Sequence, residues 1–264
     1  MLPSGQDPGQ HPDLDPPQSH SAKEIEKNHV DTQTRHALKQ DKFARATASS
    51  VSWIGLHRSS VVRWSIIGIV VAVVGVGGLV YYTQQRAAAE GALGAALDIY
   101  TAPLAQPGMP AQSGFYPSAS ERAKAANQQF TAAAQKYGWL PEGAKAHYFA
   151  GVTDADLGQN GPAETELKAA AGSWSRNMAN LAKVALAGLY HRTARDQQAI
   201  DLYNEVIAKP SETVPATVAQ LGLADLYAAT GKKDQARLLW AKVKDEDKQG
   251  AAGGIATQKL SAKQ

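Results

Sequence analysis

The side chains able to do chemistry are few and scattered. Seven histidines stand in the chain: His11, His20, His29, His36, His57, His147 and His191. None pairs with another at metal-ligand spacing beside a carboxylate, so surface histidine is the expected role. The stretch Asp154-Ala155-Asp156-Leu157-Gly158-Gln159-Asn160-Gly161 hints at a calcium loop. It has Gln159 where such a loop needs glycine and Thr165 where it needs glutamate, so a turn between two helices is expected, with Pro162 opening the second. No nucleophile elbow, P-loop, dinucleotide fingerprint or HExxH motif occurs. Without cysteine there is no disulfide, thiolate ligand or cysteine nucleophile. Lys232-Lys233 and the cations from Lys242 to Lys248 alternate with Asp and Glu and read as a solvated face. A formal charge of 27 − 24 = +3 is too small and too dispersed to argue for nucleic acid. The expectation is a chain with no catalytic residue, no cofactor and no metal.

Recognition of other proteins is the chemistry left. The candidate residues are those that would line the inner surface of a stack of helices: Tyr148 and Val152, then Leu181, Val184, Gly188, His191 and Arg192, then Val218, Leu221 and Asp225. The set is mainly apolar and suits an extended or helical segment of a protein partner. The alternative is that these side chains pack against the first helix or the C-terminal segment. Tyr190, Tyr203, Tyr227 and Trp240 recur at repeat positions and are read as core.

That assignment depends on the elements beneath it. Hydrophobic residues make up 44% of the chain, yet its mean hydropathy is −0.33. Alanine explains the contrast: 42 of the 48 alanines fall among the 178 residues after Arg86, and alanine favours helix while adding little apolar surface. Ala126, Ala163, Ala199 and Ala236 are spaced 37, 36 and 37 apart. Four residues after each comes a bulky side chain (Phe130, Leu167, Tyr203, Trp240), and seven after each a small or β-branched one (Ala133, Ala170, Val206, Val243). Upstream of the last two alanines, Leu186, Ala187 and Tyr190 match Leu223, Ala224 and Tyr227 in offset. Gly151 and Asp154 replace Ala and Tyr in the preceding unit, and Gly158 and Gly231 fall between paired helices. Four prolines between residues 101 and 118 mark a loop separating an opening helix, about Ala87 to Tyr100, from its partner.

Residues 1–20 hold five of the 13 prolines and read as a disordered tail, and residues 21–63 as a basic, polar segment with helical potential. Trp64 to Gln85 is 22 residues without a charge, with interfacial aromatics Trp64, Tyr81 and Tyr82 at its ends. It has the length and character of a transmembrane helix. Arg45, Arg58 and Arg63 precede it and only Arg86 closely follows, so the N-terminus is expected in the cytoplasm and residues 87–248 across the membrane, which in a bacterium is the periplasm, with a tail at 249–264.

The spacing resembles the tetratricopeptide repeat, in which small and large positions of helix pairs interlock. The expected fold is all-α: a single transmembrane helix followed by a short tetratricopeptide-like α-solenoid of about four helix pairs. The order of tail, span and repeat domain, ending in LADLYAATGKKDQARLLWAKV, is similar to the YfgM-like family of bacterial inner-membrane proteins, ancillary to the Sec translocon and related to cell-division coordinators. The resemblance covers about residues 60 to 248 and implies partners among translocon subunits, exported chains and periplasmic chaperones. The long N-terminal extension and the Pro-rich loop depart from that pattern. A structural scaffold of an envelope complex is the alternative reading.

Overall fold

The computed structural model describes residues 58–105 and 114–262. The expected tail at 1–20, most of the polar segment 21–63 and the middle of the loop 101–118 lie outside the described residues. Among the described residues are nine helices: α1 (Arg58–Tyr100), α2 (Ala119–Tyr137), α3 (Pro141–Asp156), α4 (Asn160–Ala171), α5 (Arg176–Arg192), α6 (Asp196–Ala208), α7 (Ala216–Ala229), α8 (Lys233–Glu246) and α9 (Ala251–Ser261). No strand occurs among them; an isolated bridge between Leu104 and Tyr116 closes the base of the loop. The chain divides into two units, one ending at Val76 and the next beginning at Gly77.

In the first unit, α1 carries Trp64, Ile66, Ile69, Val70, Val73 and Val74 with more than half of each side chain exposed. Such a run of β-branched residues would be unstable in water, and α1 is long and apolar enough to cross a membrane. In the second unit the same helix changes character. From Ala89 it buries Ala89, Leu93 and Ala96, a four- and three-residue spacing on one face, against Ala126, Phe130, Ala133 and Ala134 of α2. The separate opening helix expected at Ala87 to Tyr100 is therefore the end of α1. Between Thr83 and Ala89 there is no Pro or Gly to break it, and Arg86 pairs with Glu90 one turn on at 3.1 Å.

The alanine series marks the closest packing. Ala126, Ala163, Ala199 and Ala236 are all 0% exposed, and each bulky partner four residues on is buried. Alanine lets two helix axes approach, and the large side chain one turn later fills the space beside it. Substituting Ala199 with Leu is expected to overpack the crossing and cost about 1–3 kcal/mol. Chemical unfolding of the detergent-solubilised chain checks this, and an unchanged midpoint would contradict the crossing.

Capping and turns follow local chemistry. Ser118 accepts from the Glu121 N–H at 3.1 Å, with Glu121 in the first turn of α2. Gly158 and Gly231 adopt φ of 75° and 79° in the turns after α3 and α7. The equivalent residue after α5 is Ala194 at φ 58°, an alanine in a conformation that costs roughly 1 kcal/mol without glycine. Gly151 is required where the other units carry alanine, because a Cβ there would lie 2.6 Å from the Leu167 side chain.

Residues 249–264 do not form the expected tail. They carry α9, which packs Ala252 and Ala256 against Ala224, Ala236, Trp240 and Val243. Gly253 permits this turn, since a Cβ would fall 1.9 Å from the Asp247 carbonyl oxygen, and its N–H donates to the Asp247 carboxylate at 3.1 Å.

Candidate partner-binding face

Among α2–α9, each helix packs on its neighbours in sequence, and the odd-numbered helices also touch one another: α3 with α5, α5 with α7, α7 with α9. The even-numbered helices make no such contacts with each other, so α3, α5, α7 and α9 form the inner row. All ten candidate residues lie on α3, α5 and α7 of that row.

The row does not leave them equally free. Tyr148, Val152, Leu181 and Val184 are partly buried and pack against the cluster built from Leu186, Leu189, Tyr190, Ala199, Tyr203 and Leu223. Tyr148 meets Phe149 edge-on at 5.2 Å between ring centroids, and burial raises its phenol pKa above the ordinary value. Leu221 packs against the cluster shared with α9. Asp225 accepts from the Trp240 indole N–H at 3.2 Å and pairs with Lys259 of α9 at 3.1 Å. His191 Nδ1 lies 2.7 Å from Asp196 Oδ1. Arg192 and Val218 are exposed, and Gly188 has open space where a side chain would stand. The open part of the row is therefore Gly188, Arg192 and Val218, flanked by the half-buried Val184 and Leu221.

Two polar networks hold the helices that carry these residues. Glu164 of α4 accepts from Arg195 at 2.6 Å, from Lys168 at 2.7 Å and from the Tyr190 hydroxyl at 3.1 Å, while the Arg195 guanidinium lies 4.1 Å from the centre of the Tyr190 ring. These donors, Arg195 first, lower the Glu164 pKa from 4.5 to about 2. Because the folded value lies below the unfolded one, the stability it contributes is complete above about pH 4.5 and is lost as pH falls toward 2. Substituting Glu164 with Gln is expected to flatten the fall in stability across that interval. Unfolding curves of both proteins between those pH values check it, and parallel curves would contradict it.

The second network occupies the place where two other units carry tyrosine. Asp154 is 4% exposed, and the Asn127 side-chain amide of α2 donates to its carboxylate at 2.8 Å and to Thr153 Oγ1 at 3.0 Å. Burial raises the Asp154 pKa, with the Asn127 hydrogen bond opposing it. Asp154 is thus a structural group at the end of α3. The segment 154–161 runs from the end of α3 through the inter-helix turn 157–159 into α4, Gln159 N–H donating to the Asp154 carbonyl at 2.8 Å, and Pro162 sits in the first turn of α4.

His147 and Glu166 meet at 2.6 Å, also between adjacent helices. Among the described residues no group of three or more His, Asp or Glu is placed to hold a metal ion. A shallow depression of about 690 Å³, bordered by Trp174, Arg176, Pro210, Glu212 and Pro215, and another of about 350 Å³ between α5 and α6, include none of the ten candidate residues. Compared with known proteins, the chain matches no family model, no curated protein and no solved structure.

Sequence reasoning did not find the Glu164–Arg195 or Asn127–Asp154 pairs. They join residues 31 and 27 apart, on helices whose contact is set by the stacking. One signal was available: Lys232 follows Tyr227 as Arg195 follows Tyr190, and its ammonium lies 5.4 Å from that ring centre.

Proposed function

We propose that this chain is a non-catalytic, single-pass membrane protein that binds other proteins through its helical domain, with tetratricopeptide-type pairs as the repeating unit. The observation that carries the reading is the inner row of α3, α5 and α7, which presents Gly188, Arg192 and Val218 unobstructed beside an apolar surface. An open strip of glycine, arginine and valine, flanked by half-buried apolar side chains on stacked helices, suits a partner segment laid along it. The flanking arginines favour a cytoplasmic N-terminus and a domain on the far side of a bacterial inner membrane. The resemblance to the YfgM-like family supports translocon subunits, exported chains and periplasmic chaperones as the partner class.

Affinity isolation of the full chain from native membranes in mild detergent, followed by mass spectrometry, tests this. Translocon subunits with many exported chains in small amounts are the expected result. A single stoichiometric partner from another envelope assembly would replace it with a scaffold role, and isolation of the chain alone would contradict both.

A further inference from the structure

The two most exposed tryptophans of the helical domain stand on short turns. Trp139, 56% exposed, lies between α2 and α3, and Trp174, 83% exposed, lies between α4 and α5. Neither is needed to fill the core, and a solvent-facing indole forgoes the apolar burial that favours it. Indole rings, with an apolar body and one polar N–H, are enriched where hydrocarbon meets water.

Connectivity places both turns at one end of the helical stack. The links joining α2 to α3, α3 to α4 and α4 to α5 are short and connect helices in contact, so successive helices are antiparallel and every second turn returns to the same end. The link between α6 and α7 is the third at that end, and the depression bordered by Trp174, Arg176 and Pro210 runs between the second and third. The short turns at the opposite end, 157–159, 193–195 and 230–232, contain no aromatic residue.

What covers this end is indicated by α1. Tyr82 is the last residue of the apolar stretch, and Leu79, Val80 and Tyr81 just before it are exposed. The ring of Tyr82 packs on Trp139 with centroids 6.1 Å apart, and one turn later Arg86 reaches Glu142 at the start of α3 at 3.4 Å. A bilayer whose polar boundary falls at Tyr81 and Tyr82 therefore has Trp139 at the same boundary. Arg176, beside Trp174, adds a cation suited to anionic headgroups.

We infer that the Trp139–Trp174 end of the helical domain rests in the interfacial layer of the membrane that α1 spans. The inference rests on the reading of α1 as a membrane anchor. Seating the domain this way leaves the turns at the opposite end, 157–159, 193–195 and 230–232, in water. The partner is a lipid surface, recognised by indole insertion and a modest cationic contribution.

The chain has no cysteine, so single nitroxide labels can be placed without background. The full chain is reconstituted in vesicles of phosphatidylethanolamine and phosphatidylglycerol with Val73→Cys, Ser175→Cys or Gln159→Cys, and collision with oxygen is compared with collision with a water-soluble nickel complex. Labels at 73 and 175 are expected to favour oxygen and the label at 159 to favour nickel. Adding Trp139→Ser and Trp174→Ser is expected to shift the label at 175 into water while leaving the label at 73 in lipid. A label at 175 as accessible to nickel as the label at 159, with 73 still in lipid, would overturn the inference and leave the anchor intact. Nickel access at 73 would overturn both. A label at 175 exposed in vesicles but protected in native membranes would assign this end to a protein partner and also overturn the inference.

Discussion

Substituting both Val70 and Val74 with Arg is expected to abolish stable membrane integration. The two residues lie one turn apart in α1, and more than half of each side chain is exposed in the absence of any neighbouring helix. Each arginine near the centre of a membrane-spanning helix costs about 2.5–3.5 kcal/mol on insertion scales, so the pair costs about 5–7 kcal/mol. The apolar stretch from Ile66 to Tyr82 has no charge or polar partner to offset this. Alkaline carbonate extraction of membranes checks the result: the unmodified chain stays in the pellet and the double variant moves to the supernatant. A double variant that resists extraction would mean that α1 is not the anchor.

Replacing Trp240 with Ala is expected to have the largest effect within the helical domain, a loss of about 3–5 kcal/mol. Trp240 is 2% exposed and packs among Ala224, Ala236, Val243, Ala252 and Ala256, small residues that leave the indole as the main volume of their cluster. Its N–H donates to Asp225, and the Lys259 ammonium lies 5.9 Å from its ring. Removing the ring opens a cavity between α7, α8 and α9, takes a donor from Asp225, and releases the helix that covers the end of the stack. Chemical unfolding gives the stability change, and limited proteolysis near Asp247 to Gly250 shows whether α9 detaches first. Trp240→Phe keeps most of the volume and is expected to lose less. A Trp240→Ala protein with unchanged midpoint and protease resistance would contradict the packing assigned to α9.

The legible parts of the fold were those with dense or periodic signals. The unbroken run from Ile66 to Tyr82 marks the apolar helix, because nothing else in a chain of this composition concentrates so many β-branched residues. The spacing of Ala126, Ala163, Ala199 and Ala236 with Phe130, Leu167, Tyr203 and Trp240 locates the packed crossings, since both small and large partners must recur for helix pairs to interlock. Gly158 and Gly231 are legible as turns because a left-handed residue there favours glycine. α9 is not legible: its buried face is Ala252, Gly253 and Ala256, too little apolar surface to stand out, and two glycines weaken the helical signal. The join between α1 and the opening helix is missed for the opposite reason. Loss of apolarity after Tyr82 reads as an end, whereas the backbone needs a breaker to stop.

The candidate face shows the same division. The position of Tyr148, Leu181, Val184 and Leu221 on inner-row helices follows from the repeat register, but how far each is covered depends on contacts between units. Asp225 illustrates this: its offset points it inward, and only the packing of α9 brings Lys259 onto it. Gly188 stays open because no side chain from α3 or α7 reaches it, which depends on how the units stack and not on local sequence.

The open strip at Gly188 and Val218 is the surface proposed to receive a protein partner. The most direct measurement is photo-cross-linking in living cells with a photoreactive amino acid at Gly188 or Val218, compared with Leu238, an exposed residue of α8 outside the inner row. Defined adducts with translocon subunits or exported chains from 188 and 218, and none from 238, are the predicted result. Equal labelling from all three positions, or no adduct from 188 and 218 in membranes where the chain is abundant, would contradict it.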